Sequence, residues 1–329
     1  MRICICGGGS LGHVCAGVLA SKDGVTLSIY TGHPDRWQEK LTVTDPSGQQ
    51  FVASPYRISG RPEDVIPGQD IILFCLPGFM IEKTLQEIRP YLGDAKVGTV
   101  VSSTGFFFFA HESLGSEVPL FGFQRVPFIA RVSEYGKSAR LLGYKSELAI
   151  VTENVADRDG FRQEIEWLFM TPTRLLDNYY EAALTNSNPI LHTGRLFTLF
   201  RGKEDTVFNH KVLFYKEWTN EASQKLIEMD AEFFRLLDVL KVTSIPTLLD
   251  YYESTDAASL TQKLKSIAAF QTIESPMKEV PEGWKADFTS RYFTEDFPYG
   301  LRWIKDLARE NHVDTPVINE VYSWGMNQL

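Results

Sequence analysis

Two groups of residues in this sequence have the types and spacing to do chemistry. The first is Gly7-Gly8-Gly9-Ser10-Leu11-Gly12, set directly after the apolar run Arg2-Ile3-Cys4-Ile5-Cys6 and before a small-residue helical stretch. In a dinucleotide fold Gly7 permits the tight turn, Gly9 lets the backbone approach a pyrophosphate, and Gly12 allows helix and strand to pack closely. The unpaired N–H groups of Ser10, Leu11 and their neighbours, at the positive end of a helix, then face the phosphates. A lone G-x-G-x-x-G is a weak signal, and a glycine-rich turn without ligand is the bland alternative. Its place between a predicted strand and a predicted helix strengthens the reading. At the end of the second predicted strand an NAD site offers an acid to the ribose hydroxyls. Here the order is Tyr30-Thr31-Gly32-His33-Pro34-Asp35-Arg36. Thr31 stands where the acid is expected, while His33 and Arg36 could meet a 2′-phosphate. The balance favours NADP, and Asp35 keeps NAD open.

The second group is split. Of six histidines, His192 stands out in Asn186-Ser187-Asn188-Pro189-Ile190-Leu191-His192-Thr193-Gly194. Far downstream lies Arg291-Tyr292-Phe293-Thr294-Glu295-Asp296-Phe297-Pro298-Tyr299-Gly300-Leu301. A histidine with a carboxylate partner is an acid/base couple, because the carboxylate fixes the tautomer and stabilises the imidazolium. Taken singly, each residue has a plainer use. His192 could be a satisfied core histidine, Asp296 a cap for the helix near Leu301, and Arg291 half of a structural salt bridge. Tyr215 and Tyr299 read as core or interface aromatics, and His13 as packing in the first turn of its helix.

Together these segments resemble the opine dehydrogenases, the octopine and nopaline dehydrogenase family. Asn188–His192 is similar to that family's N-P-x-x-H helix, and Arg291–Leu301 to its R-Y-x-x-E-D-x-P-Y-G-L signature. Leu76-Pro77-Gly78-Phe79 resembles its L-P-A-F turn beside the nicotinamide. Pro127–Lys137 resembles its P-Y-x-x-R-x-x-E-Y-G-K stretch. Gly78 in place of alanine and the run Phe106–Phe109 depart from the pattern. The resemblance implies His192 as acid/base and Asp296 as its partner, with Leu76 and Pro77 at the cofactor. Arg291 is the candidate for a substrate carboxylate, since guanidinium and carboxylate pair in a bidentate fork. Asn188 and Gln124 are weaker candidates for the substrate site. The implied reaction is the condensation of an amino acid with a 2-oxo acid and reduction of the imine by NAD(P)H, or its reverse. Two alternatives are a reductase of simple 2-oxo or 3-hydroxy acids and a nucleotide-sensing protein without catalysis.

The elements that must position these residues follow from periodicity. Strand patterns at Arg2–Cys6, Val25–Thr31, Asp70–Leu76, Val97–Ser102, Pro119–Phe123 and Leu148–Thr152 alternate with helical ones at Leu11–Ser21, Phe79–Leu92 and Phe161–Met170. That alternation indicates a doubly wound, mainly parallel Rossmann-type sheet. From Asn178 the patterns are helical, through Glu221–Leu240, Leu260–Phe270, Leu301–Glu310 and a start signal at Thr315-Pro316. The expected fold is therefore α/β, with a nucleotide-binding domain over 1–177 and a mainly helical substrate domain over 178–329.

Composition narrows the rest. The net charge of −9 and scattered basic residues argue against a nucleic-acid partner. No stretch approaches the ~20 apolar residues of a membrane span, and no signal-peptide pattern opens the chain, so the expected location is cytoplasmic. Cys4, Cys6, Cys15 and Cys75 form no C-x-x-C pair, so no metal is expected and buried reduced thiols are. The expected partners are small molecules, with a homodimer left open.

Overall fold

The chain, described over residues 1–329 in a computed structural model, divides into two compact units, Met1–Ala183 and Leu184–Leu329. The first unit begins β1 (Arg2–Cys6), α1 (Ser10–Ala20), β2 (Thr26–Tyr30), β3 (Leu41–Thr44), β4 (Gln50–Ala53), β5 (Arg57–Ser59) and α2 (Pro62–Val65). It continues with β6 (Ile71–Phe74), α3 (Gly78–Ile88), β7 (Lys96–Thr99), α4 (Phe106–Leu114) and β8 (Leu120–Phe123). The remaining elements are β9 (Phe128–Glu134), β10 (Ser138–Tyr144), β11 (Leu148–Glu153), α5 (Arg158–Phe169), β12 (Thr173–Leu175) and α6 (Tyr179–Ala183).

Eight strands form one sheet in the order β12-β11-β8-β7-β6-β1-β2-β5. Every neighbouring pair is parallel except β8 and β11. Ile3–Cys6 and Ile71–Phe74 are buried throughout, as expected of strands covered on both faces. The chain leaves β1 for β2 on one side and later returns to β6 on the other. The carboxyl ends of β1 and β6 therefore part at a topological switch point, where open α/β sheets bind ligands.

A second sheet, β4-β3-β10-β9, was not expected from the sequence. Its cause is visible in α1, whose residues Gly12 to Leu19 are all buried. A helix apolar all round must be covered on both sides. The main sheet covers one side and this small sheet the other, so closely that a Cβ on Gly17 would overlap Val43. Strands β3 and β4 are four residues each and alternate inward Leu41, Val43, Phe51 and Ala53 with exposed or half-exposed residues. That is too short a pattern to register as a strand pair. The run Phe106–Phe109 also lacked an assignment and opens α4, with Phe106, Phe107 and Phe109 buried.

The break between units falls at Ala183, beyond the 177/178 division expected from pattern. Helix α6 lies on the sheet side of it, packed against β8 and β11.

The second unit contains α7 (Asn188–Phe200), α8 (Asn220–Leu240), α9 (Leu248–Tyr251) and α10 (Ala257–Ser266). A hairpin of β13 (Met277–Val280) and β14 (Gly283–Ala286) precedes α11 (Arg291–Thr294). A π-helical turn, Phe297–Leu301, then leads into α12 (Arg302–Glu310) and α13 (Pro316–Met326). The buried stripe of α8 is Leu226, Met229, Phe233, Leu236 and Leu237, with Ile227, Phe234 and Leu240 half-buried at its edges. Gly194 lets α7 lie against it, since a Cβ there would stand 2.9 Å from Leu226 Cδ2. Helix α13 starts at Pro316 as expected, but the Thr315 side chain does not cap it. Buried Glu232 of α8 does so instead, accepting from the N–H groups of Val317 and Ile318 at 3.0 and 2.9 Å.

Candidate functional site

In the first unit the glycine loop sits at the switch point. Gly7 has φ +122°, and a Cβ there would stand 2.6 Å from the Cys75 carbonyl oxygen at the end of β6. A Cβ on Gly12 would overlap the Gly7 carbonyl, so no other residue lets α1 start this close to β1. Gly9, extended at φ −81° and ψ −171°, is the N-cap of α1 and faces open space. The first turn of α1 has no side-chain cap and no acidic residue, so its N–H groups and positive dipole end are available to an anion. The Ser10 hydroxyl accepts from the Val132 N–H at 3.1 Å.

A cleft of about 370 Å³ opens beside the loop, lined by Gly7, Gly8, Thr31, His33 and Leu76 among the residues expected there. Tyr30, Met80, Lys83, Thr84, Glu87 and Tyr135 also line it, and sequence reasoning named none of them as site residues. The Tyr30 hydroxyl donates to Glu87 at 2.7 Å, and burial with that neighbouring carboxylate raises its proton affinity well above the usual phenol range. Pro77 caps the start of α3, next to Leu76. Arg36 lays its guanidinium 4.3 Å above the Tyr135 ring, and His33 meets the same ring edge-on at 6.5 Å. Asp35 is exposed and does not line the cleft.

The second sheet reaches this loop through His13. Its Nδ1 lies 2.9 Å from the Gly9 carbonyl, and its Nε2 accepts from the Gly136 N–H at 2.7 Å. A ring that donates at Nδ1 and accepts at Nε2 is neutral, and burial lowers its proton affinity accordingly. His13 therefore does more than pack: it ties the glycine loop to the β9–β10 turn, stacked on Trp37 at 4.3 Å. These features fit a dinucleotide. The N-terminus of α1 lacks a cap, Gly9 leaves room for phosphate, and at Gly8 a Cβ would crowd the hydroxyls of Tyr135 and Thr31.

Gln124, also in this unit, follows β8 directly and donates from Nε2 to the Glu181 carbonyl at 3.2 Å.

In the second unit, α7 carries Asn188 and His192 one turn apart on the same face. The Asn188 N–H donates to Asn186 Oδ1 at 3.2 Å, so this asparagine begins the helix. His192 Nδ1 and Asp296 Oδ2 are 2.8 Å apart, with side chains 13% and 20% exposed. Two close approaches bring Asp296 there. The π-helical turn, closed by the Leu301 N–H donating to the Asp296 carbonyl at 2.8 Å, rests on α7 where Gly300 meets Pro189. Phe297 lies against Gly325 of α13 with no room for a Cβ between them, and stacks on Phe293 at 5.5 Å. Asp296 makes no side-chain cap, so that use is set aside. π-turns recur at functional sites because the widened turn re-aims the residues beside it.

Tyr215 corrects the sequence reading in one respect. It is a buried aromatic, as expected, yet its hydroxyl lies 3.2 Å from His192 Nε2. Burial first, then the neighbouring Tyr292, Tyr252 and Asp296, raise its proton affinity far above the usual phenol range. Tyr292 covers the imidazole at 4.8 Å and Phe214 meets it edge-on at 5.6 Å. Arg291 is not brought to the dyad. Its side chain is 82% exposed and pairs loosely with Glu295 at 3.8 Å.

An α/β nucleotide-binding unit and a helical unit carrying a His–Asp dyad define a class of dinucleotide-dependent oxidoreductase. Residues 175–329 match the family described as NAD/NADP octopine/nopaline dehydrogenase, alpha-helical domain. Opine dehydrogenase of Haliotis discus hannai is 25% identical to the chain, over all of the chain and 90% of that protein. Octopine dehydrogenase of Mizuhopecten yessoensis is 24% identical over the same shares. A solved octopine dehydrogenase with NADH and L-arginine superposes with a TM-score of 0.89 at 25% identity, covering the whole chain and 89% of that structure. Over its whole length the chain is similar to opine dehydrogenases, and residues 175–329 match the helical domain of that family.

Proposed function

We propose that this protein catalyses the reductive condensation of an amino acid with a 2-oxo acid, and its reverse, using NAD(P)H. The observation that carries the reading is the 2.8 Å pair of His192 Nδ1 and Asp296, which leaves Nε2, faced by the Tyr215 hydroxyl at 3.2 Å, as the nitrogen for acid/base work. The relatives named for opine and octopine chemistry support the same reaction class. The nicotinamide supplies the hydride in reduction and accepts it in oxidation.

His192 is the acid/base. Asp296 accepts from Nδ1–H and holds the ring so that the Nε2 proton can be given to the 2-oxo acid carbonyl oxygen as the amine adds. General acid–base help of this kind contributes on the order of 10²–10⁴-fold. Arg291, exposed and loosely paired, is the residue we assign to a substrate carboxylate. Asn188 lies on the His192 face of α7 and is assigned to the substrate, as is Gln124 with less support. Crossing amino acids with 2-oxo acids, with both nucleotides and nicotinamide absorbance as readout, tests the reaction. Turnover that needs no amine would point to a simple 2-oxo acid reductase. His192→Ala should abolish turnover and leave dinucleotide binding intact; loss of both together would refute its role.

The nucleotide we assign is NADPH in preference to NADH. Thr31 stands where a ribose-binding acid would, Arg36 and His33 flank Tyr135 at the cleft edge, and Glu87 is engaged by Tyr30. A charged hydrogen bond contributes about 1.5–3 kcal/mol. Arg36→Ala should therefore raise KM for NADPH about tenfold or more and leave that for NADH nearly unchanged. Equal effects on both would count against NADP.

A further inference from the structure

Asp296 can only accept, so the neutral His192 ring carries its proton on Nδ1 and presents a lone pair at Nε2. The group facing that lone pair is the Tyr215 hydroxyl at 3.2 Å, which must donate to it. The placement is built rather than incidental. The Tyr215 ring is stacked on Phe270 at 4.2 Å and on Trp218 at 5.7 Å, within 8° of parallel to the latter. Its backbone is fixed from α7 by Arg195, a guanidinium 2% exposed. Arg195 Nε donates to the Phe214 carbonyl at 3.2 Å and Nη2 to the Glu217 carbonyl at 2.9 Å. Burial pulls its pKa down to about 10, so the arginine is still charged at neutral pH. A buried charged side chain three residues along α7 from His192 thus holds the turn that aims Tyr215 at His192.

We propose that Tyr215 is a third catalytic residue, a second hydrogen-bond donor to the substrate oxygen that His192 protonates. The inference rests on the dyad reading above. An oxygen placed to take the Nε2 proton also comes within reach of the Tyr215 O–H, because the two groups are 3.2 Å apart. The step starts from the doubly protonated ring: as the amine nitrogen bonds to the carbonyl carbon, the C=O π pair moves to oxygen, which takes the Nε2 proton. The nitrogen returns its surplus proton to the ring, leaving a neutral carbinolamine. Tyr215 keeps its own proton throughout, as its raised proton affinity requires. It stabilises the charge developing on oxygen, and donates to Nε2 only in the interval before the ring takes up the proton from nitrogen.

The test is Tyr215→Phe, which preserves the stack. Loss of one oxyanion donor costs on the order of 10²-fold in kcat. Dinucleotide affinity should stay unchanged. The midpoint of the pH profile of kcat/KM should move to higher pH, because the O–H that favours the neutral ring at Nε2 is gone. A purely structural tyrosine would leave that midpoint in place. Turnover within about threefold of the parent and an unmoved midpoint would overturn the proposal. Should Tyr215→Phe prove unstable, 3-fluorotyrosine at the same position keeps ring and hydroxyl but acidifies the donor; a moved midpoint supports the proposal and an unmoved one overturns it. His192→Ala in the same assay separates the two readings. If it is dead while Tyr215→Phe is normal, only this inference fails; if both turn over, the dyad fails with it.

Discussion

Replacing Gly300 with alanine tests whether packing around the dyad sets its geometry. A Cβ built on Gly300 stands 2.8 Å from Pro189 Cγ and 3.1 Å from Pro189 Cβ. Carbon atoms rest at about 3.5–4.0 Å, so the π-helical turn and α7 must separate by roughly 0.7–1 Å. Pro189 and His192 share a helix, and Asp296 adjoins the turn, so much of that separation passes into the 2.8 Å bond between Nδ1 and Oδ2. Stretched to about 3.5 Å or more, it ceases to be a hydrogen bond. A misplacement of this size costs on the order of 10²-fold in rate. Overpacking costs about 1–3 kcal/mol, partly offset by the ~1 kcal/mol that alanine gains over glycine in a helix. Steady-state turnover by nicotinamide absorbance, nucleotide binding by fluorescence, and thermal unfolding together give the answer. The expected result is a large fall in kcat, a small fall in Tm and unaltered nucleotide affinity. Parental kcat would refute the idea that the Gly300–Pro189 approach positions Asp296.

Two further changes report on the helical unit. Burial raises the carboxyl of Asp230, beside Leu248, to about 6, with Asp250 adding to the shift. Between the unfolded value near 4 and that value the folded chain holds the extra proton, so stability falls as pH rises through about 4 to 6 and the cost persists above. Asp230→Asn keeps an acceptor for the Leu248 N–H; it should raise Tm at pH 7–8 and leave it nearly unchanged at pH 4. An equal gain at both would contradict the assignment. Glu232→Ala removes both acceptors at the start of α13 and leaves buried N–H groups unpaired, costing about 2–4 kcal/mol. Hydrogen exchange should accelerate in the first turn of α13, and unchanged protection there would show the cap to be dispensable.

The alternating sheet was readable because buried parallel strands are continuous apolar runs, as in Ile71–Phe74. The glycine loop was readable because its residue types follow from backbone sterics. The small second sheet was not, since four-residue strands carry too little alternation, though the all-round apolarity of α1 implied a second cover. His192 and Asp296 stood out through family resemblance and lie within bonding distance. Tyr215 did not stand out, because nothing local distinguishes a tyrosine whose hydroxyl meets a distant histidine from one that fills a core. The signal lay in Arg195, a charged residue at i+3 from His192 on the buried side of an apolar helix, which needs partners such as the carbonyls of 214–217. Gly300 stands in Pro298-Tyr299-Gly300-Leu301, but its neighbour Pro189 is remote in sequence.

All four cysteines are buried, and all lie within the first 75 residues. The helical unit, by contrast, has no thiol. A thiol reagent added to the native protein can therefore react only when the nucleotide-binding unit opens. Under conditions where labelling is slower than reclosing, its rate measures the opening free energy of that unit alone. Adding dinucleotide should slow it in proportion to occupancy. The four buried sulfurs thus give the protein an internal clock for one half of its fold, with no probe to introduce.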